Sequence, residues 1–123
     1  MDKGSNNYKI FQLNTTIKTT DTFKEISAYA PNISETNYIN INFRAGVNGT
    51  LKVFFNDSQE DSKYGTLDQL AYTFAITANQ FHYFAFGAMG QEIRITFEYP
   101  AISANTYIYT SGYGCENSII KLV

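Results

Sequence analysis

The sequence predicts an all-β fold, an antiparallel two-sheet β-sandwich, jelly-roll-like, of about eight strands. Three observations predict it. Short segments of alternating apolar and polar residues recur along the chain between turn residues, and no stretch carries a helical period. Ten Tyr and ten Phe stand in 123 residues without a Trp, and both types favour a pleated, half-buried surface over a helix. Charged residues make up only 16% of the chain, against about 25% in ordinary soluble domains. Asn, Thr, Ser and Gln must therefore supply most of the polar face of each strand.

Residues 1–7 are polar enough to fray or to act as an N-terminal arm reaching a neighbour. Residues 8–123 are expected to form a single β-sandwich domain, because the chain is too short for two independent cores. Residues 8–13 and 22–29 read as the first strands, the second blurred by Lys24 and Glu25. Residues 38–45 alternate cleanly, with Ile39, Ile41, Phe43 and Ala45 to one face and Asn40, Asn42 and Arg44 to the other. Val47-Asn48-Gly49-Thr50 holds an Asn-Gly pair, a hairpin signal, and Leu51, Val53 and Phe55 then alternate with Lys52 and Phe54, so these two strands are expected to pair with each other.

Residues 56–65 are polar and aperiodic, a surface loop, closed by a turn or short helical piece over 66–70. Residues 72–77 alternate again, and Ala78-Asn79-Gln80 turns the chain. Phe81-His82-Tyr83-Phe84-Ala85-Phe86 is almost wholly apolar, as expected of a strand buried on both faces, within the sandwich or at a subunit contact. After a turn at 87–90, residues 91–99 send Ile93, Ile95, Phe97 and Tyr99 inward and Glu92, Arg94, Thr96 and Glu98 outward. Pro100, which cannot donate to a ladder, ends that strand. Residues 104–110 read as a strand, 111–114 as a turn and 118–123 as a last strand.

Composition excludes several function classes. Nine basic and eleven acidic residues give a net charge of −2, and the basic ones are scattered, so no nucleic-acid partner is expected. The opening residues lack an apolar signal-type region and no run of about eighteen apolar residues occurs, so membrane insertion is not expected. Sequons at Asn14, Asn32, Asn48 and Asn56 read as by-products of an Asn/Thr/Ser-rich composition. The lone Cys115 has no partner in the chain and is expected to be a buried free thiol.

Candidate chemistry is sparse. The sole histidine, His82, has no Asp, Ser or Cys at suggestive spacing, and a zinc site needs three or four ligands. Asp57, Glu60, Asp61 and Asp68 offer the oxygens a calcium ion wants but not the EF-hand spacing, so a solvated acidic loop is expected. No acid–base pair of carboxylates is recognisable, and the glycines fall between strands and not before a helix, where they would cradle phosphate. The chain is therefore expected to be no enzyme, with no catalytic residues, no cofactor and no metal.

Two surfaces stand out. Tyr99, Tyr107, Tyr109 and Tyr113 are interleaved with Asn105, Thr106, Thr110 and Ser111; tyrosine offers rigid contact area with a polar tip, and its flat ring stacks on sugars. Tyr107, Tyr109 and Tyr113 are the candidate ligand surface. Phe54, Phe81, His82, Phe84 and Phe86 are an aromatic surplus over what one core of this size should need, and are the candidate assembly interface.

One stretch resembles a known group. Residues 46–99 open with the small-residue turn Gly46-Val47-Asn48-Gly49 and a Gly-x-Leu-x-Val strand that runs into Asn56-Asp57-Ser58, pass through Phe81-His82-Tyr83-Phe84, and end in Ile93-Arg94-Ile95-Thr96-Phe97. This pattern is similar to the β-sandwich modules of virion proteins, such as phage fibre and decoration proteins and minor capsid proteins of large DNA viruses. The resemblance implies a structural virion protein, a capsid, decoration or spike subunit, meeting other such subunits and itself as a homo-oligomer through apolar strand faces and sheet edges. It also implies that Arg94 anchors a local hydrogen-bond or ion-pair network. Pro100-Ala101 stands where those modules carry an Asn-containing turn. The alternative reading is a carbohydrate-binding or host-attachment module, secreted or at the cell surface, using Tyr107, Tyr109 and Tyr113.

Overall fold

The computed structural model describes residues 8–20, 25–30, 36–56, 69–90 and 92–115, with the backbone alone for 25–30 and 56. Among these residues there are eight strands and no helix: β1 (Tyr8–Ile17), β2 (Glu25–Ala30), β3 (Tyr38–Ala45), β4 (Gly49–Asn56), β5 (Gln69–Ile76), β6 (His82–Gly87), β7 (Glu92–Glu98) and β8 (Thr106–Cys115). They form two four-stranded antiparallel sheets, a first with order β1-β8-β3-β6 and a second with order β2-β7-β4-β5. Two interwound Greek keys of this kind make a jelly roll.

Period-two alternation creates the two inner faces. Phe11, Ile17, Ile39, Ile41, Phe43, Phe86 and Ile108 of the first sheet meet Leu51, Val53, Phe55, Ile76, Ile93, Ile95 and Phe97 of the second, and all are buried. Phe43 and Phe97 join the sheets at the centre, their ring centroids 4.9 Å apart and their planes tilted by 52°. Burying such side chains is the main stabilising term in a β-sandwich.

The open side of the sandwich is closed by aromatic rings. β5 and β6 are edge strands of opposite sheets, yet Phe74 stacks on Phe84 at 4.0 Å and Tyr72 packs on Phe86 at 4.5 Å. The Tyr72 hydroxyl donates to the Gly87 carbonyl oxygen at 3.3 Å across the same seam. Much of the aromatic surplus in the sequence is thus used within the domain.

Four sequence expectations are corrected. Asn48-Gly49 is not a hairpin turn: β3 and β4 lie in different sheets, and residues 46–48 carry the chain across. Among the eight strands only β4 and β5 are both consecutive in sequence and paired. The expected turn at 111–114 lies inside β8, where a Cβ on Gly112 would come within 2.3 Å of the Phe11 ring; the glycine makes a slot for that ring. β6 is not buried on both faces within the sandwich, since Phe81 before it and Tyr83 within it are 66% and 63% exposed. Residues 69–70 open β5 and are not helical. The expected arm at 1–7, the loop at 57–65 and the strand at 118–123 lie outside the described residues.

Candidate functional site

Because successive side chains on a strand alternate, the residues of β8 that flank its inward set share the outer face of the first sheet. Ile108 and Thr110 are fully buried, whereas Tyr107, Tyr109 and Tyr113 are half-buried on the other side. The three tyrosines named from the sequence are therefore brought together in one row. At about 3.3 Å per residue the row is about 20 Å long. Tyr99 does not join it; its ring is buried in the core, 5.8 Å from Phe97.

Strand register supplies the neighbours. Tyr109 lies between Asn14 of β1 and Arg44 of β3, Ser111 between Gln12 and Asn42, and Tyr113 between Lys9 and Asn40. Tyr83 of β6 is opposite Asn42 and extends the same face toward the sheet edge. The result is a sheet surface of half-buried tyrosine rings and the exposed Tyr83 with amide side chains between them, aromatic area beside hydrogen-bonding groups.

One end of the row is held in place. The Arg44 Nε donates to the Tyr107 hydroxyl at 2.9 Å, and that hydroxyl donates to Asn79 Oδ1 at 3.1 Å. Asn79 sits in the β5–β6 turn with φ of 65°, a left-handed conformation that Asn tolerates better than most residues, and its N–H donates to the Ala45 carbonyl oxygen at 2.7 Å. The next rung is Asn48, whose Oδ1 accepts the Ala78 N–H at 2.7 Å. Two crossings between the sheets are laced together here, and they fix the orientation of Tyr107 and Arg44.

Elsewhere on this face Lys9 Nζ donates to Gln12 Oε1 at 2.6 Å. Asn40 is only 6% exposed and its Oδ1 has no hydrogen-bond partner. An open cleft of about 330 Å³ lies at the same end of the sandwich as Tyr107, lined by Gly46, Val47 and residues 101–106 and carrying no charged side chain.

The aromatic set named as an interface is dispersed. Phe86 is in the core and Phe84 in the seam. His82 stacks on Phe84 at 5.8 Å, and its Nε2 accepts the Thr77 N–H at 3.0 Å. Phe54 is on the outer face of the second sheet, under the Arg94 guanidinium at 4.4 Å, a cation–π contact. Phe81 and Tyr83 are left as the exposed members of the β6 region.

No three His, Cys, Asp or Glu side chains converge as a metal-ligand set among the described residues, and the acidic loop weighed for calcium lies outside them. Cys115 is 1% exposed, the buried thiol expected from the sequence. Arg44, Asn79 and Tyr83 were not singled out from the sequence as parts of this site. The alternation of β3 already put Arg44 on a polar face, but nothing local says that β3 lies beside β8.

No family model matches the sequence. No curated protein matches it either. Solved structures of similar shape exist. The family 29 carbohydrate-binding module from Piromyces equi is 14% identical with a TM-score of 0.50, over 96% of this chain and 84% of that one. A protein of the disulfide-linked pili that form Bacillus endospore appendages is 16% identical at a TM-score of 0.48, over 89% and 92%. The coat protein of Tobacco streak virus is 12% identical at 0.41, over 90% of each chain. These likenesses are of fold alone: at a TM-score of 0.50 the chain shares a β-sandwich architecture with the family 29 module.

Proposed function

We propose that this chain is a carbohydrate-recognition jelly roll, displayed on the outside of a virion or cell, whose ligand lies along the outer face of the first sheet. No catalytic step belongs to this function. The observation that carries the reading is the row of Tyr107, Tyr109 and Tyr113, half-exposed on one face with Asn14, Gln12 and Asn42 beside it. Sugar rings present apolar C–H faces ringed by hydroxyls, and this surface alternates ring faces with amides in the same way. The row is on rigid strands, which limits the ordering cost of binding.

The test is retention on a glycan array, followed by titration of the glycans retained. Tyr109→Ala is expected to weaken binding by about thirtyfold, the loss of a central tyrosine anchor, with the far-ultraviolet circular dichroism unchanged. If the wild-type chain retains no glycan, or the tyrosine variant binds as well as wild type, the reading is wrong.

A second reading, a structural subunit of a virion or other surface assembly, is favoured by β6. This edge strand, His82–Gly87, carries no acid, lysine, arginine or proline to blunt it, and Phe81 and Tyr83 are the exposed aromatics beside its free edge. It predicts a symmetric oligomer by light scattering on a sizing column, returned to monomer by Tyr83→Lys. A monomer at every concentration rejects it.

A further inference from the structure

We infer that the glycan taken by this face is anionic, with a carboxylate or sulfate group seated on Arg44; the inference rests on the carbohydrate reading above. The first observation is the distribution of charge. β1, β3, β6 and β8 contain Lys9 and Arg44 and not one Asp or Glu. The second sheet carries Glu25, Glu92 and Glu98 against Lys52 and Arg94, and so has no net positive charge. In a chain of net charge −2 the ligand face is thus a cationic surface. Its complement is an anion.

The second observation is how Arg44 is held. It is exposed, yet its Nε is engaged by the Tyr107 hydroxyl, which is in turn fixed by Asn79. A guanidinium has five N–H donors. With Nε used, its two terminal amino groups keep the paired geometry that matches two oxygens of a carboxylate or sulfate. Arg44 has no carboxylate partner among the described residues. An arginine pinned through one nitrogen has already lost much of its rotamer freedom, so less is lost on binding.

The third observation is register. Arg44 is directly opposite Tyr109, and side chains so paired have Cβ atoms about 5 Å apart. A sugar stacked on Tyr109 therefore brings a ring substituent within reach of the guanidinium. Lys9, opposite Tyr113 near the far end of the row, offers a second positive charge to a repeating acidic chain.

The experiment uses matched probes on the full chain by calorimetric titration: oligogalacturonate against its methyl ester, and sulfated against unsulfated cello-oligosaccharide. The acid or the sulfate is expected to bind about tenfold or more tightly than its neutral counterpart, the size of a charge-assisted hydrogen-bond pair, and to weaken as salt rises. Which of the two pairs shows the difference tells carboxylate from sulfate. Arg44→Gln is expected to bring that ratio close to one, with Arg44→Lys restoring it in part. Lys52→Gln, which removes a charge from the second sheet, is expected to leave the ratio unchanged. Equal binding of acid and neutral probes, or an equal effect of the Arg44 and Lys52 variants, overturns the inference while carbohydrate binding itself stands. Binding of no probe, neutral or acidic, removes the carbohydrate reading and this one with it.

Discussion

Phe97→Ala is expected to lower the free energy of unfolding by about 3–5 kcal/mol, the cost of deleting a buried aromatic ring and leaving its cavity. Phe97 is 2% exposed on β7, which is paired on both sides within the second sheet. Its ring is 4.9 Å from that of Phe43 in the facing sheet and 5.8 Å from that of Tyr99. The site can collapse little, because pulling one sheet toward the other at this point would strain the aromatic seam between β5 and β6. A domain of this size has about 5–15 kcal/mol in all, so the loss is a large share of the total. Urea unfolding followed by tyrosine fluorescence measures it, since the chain has no Trp. Phe54→Ala is the comparison: that ring lies on the outer face under Arg94, and its loss should cost about 1 kcal/mol or less. Equal effects of the two substitutions would mean that the inner faces are not packed as described.

The difference between Phe97 and Phe54 was legible in the sequence. β3, β4 and β7 each have one buried face, and period-two alternation needs nothing else to sort inward from outward side chains. Which strand lies beside which was not legible. In a jelly roll the chain crosses between sheets at nearly every connection, so sequence neighbours such as β3 and β4 are not spatial partners, and Asn48-Gly49 looked like a hairpin though it is a crossing. β8 was cut short for a related reason. Glycine usually punctuates structure, but Gly112 and Gly114 lie within a strand, where they make room for Phe11, Thr36 and Tyr8. For β6, inward rings and the exposed Phe81 and Tyr83 are equally apolar, so alternation could not tell its two faces apart.

The candidate site shows the same division. Tyr107, Tyr109 and Tyr113 could be read as a group because they lie close together in sequence among Asn, Thr and Ser. That Tyr113 belongs with the other two depends on β8 running unbroken past Gly112. The cationic character of the surface depends on pairing, since Arg44 and Lys9 come from strands far away in sequence and reach the tyrosines only through the ladder. Residue type and closeness in sequence therefore marked out a candidate surface, and only the strand order gave it a charge.

Gly49→Ala is expected to be destabilising, and the sign is the informative part. At an ordinary strand position the same change stabilises by about 0.5–1 kcal/mol, because glycine loses more chain entropy on folding. A hairpin role for Asn48-Gly49 would instead make the cost one of backbone conformation, but the φ of Gly49 is outside the left-handed region. What the residue provides is space: a Cβ there would come 2.4 Å from the Glu98 carbonyl oxygen and 2.5 Å from the Phe97 ring. Neither neighbour can yield easily, one being backbone in a ladder and the other a packed core ring, so about 1–3 kcal/mol is expected from overpacking. The two contacts can be separated by a double-mutant cycle with Phe97→Leu. Removing the ring should reduce the Gly49→Ala penalty without abolishing it, because the carbonyl contact stays; complete relief would assign the whole effect to the ring. The consequence reaches the face proposed to bind glycan. Gly49 directly follows the crossing in which Asn48 holds Ala78 and Ala45 holds Asn79, the residue that fixes Tyr107 and through it Arg44. If the crossing is displaced, Gly49→Ala should weaken glycan binding beyond what its stability loss explains, at protein concentrations and temperatures where the variant is fully folded.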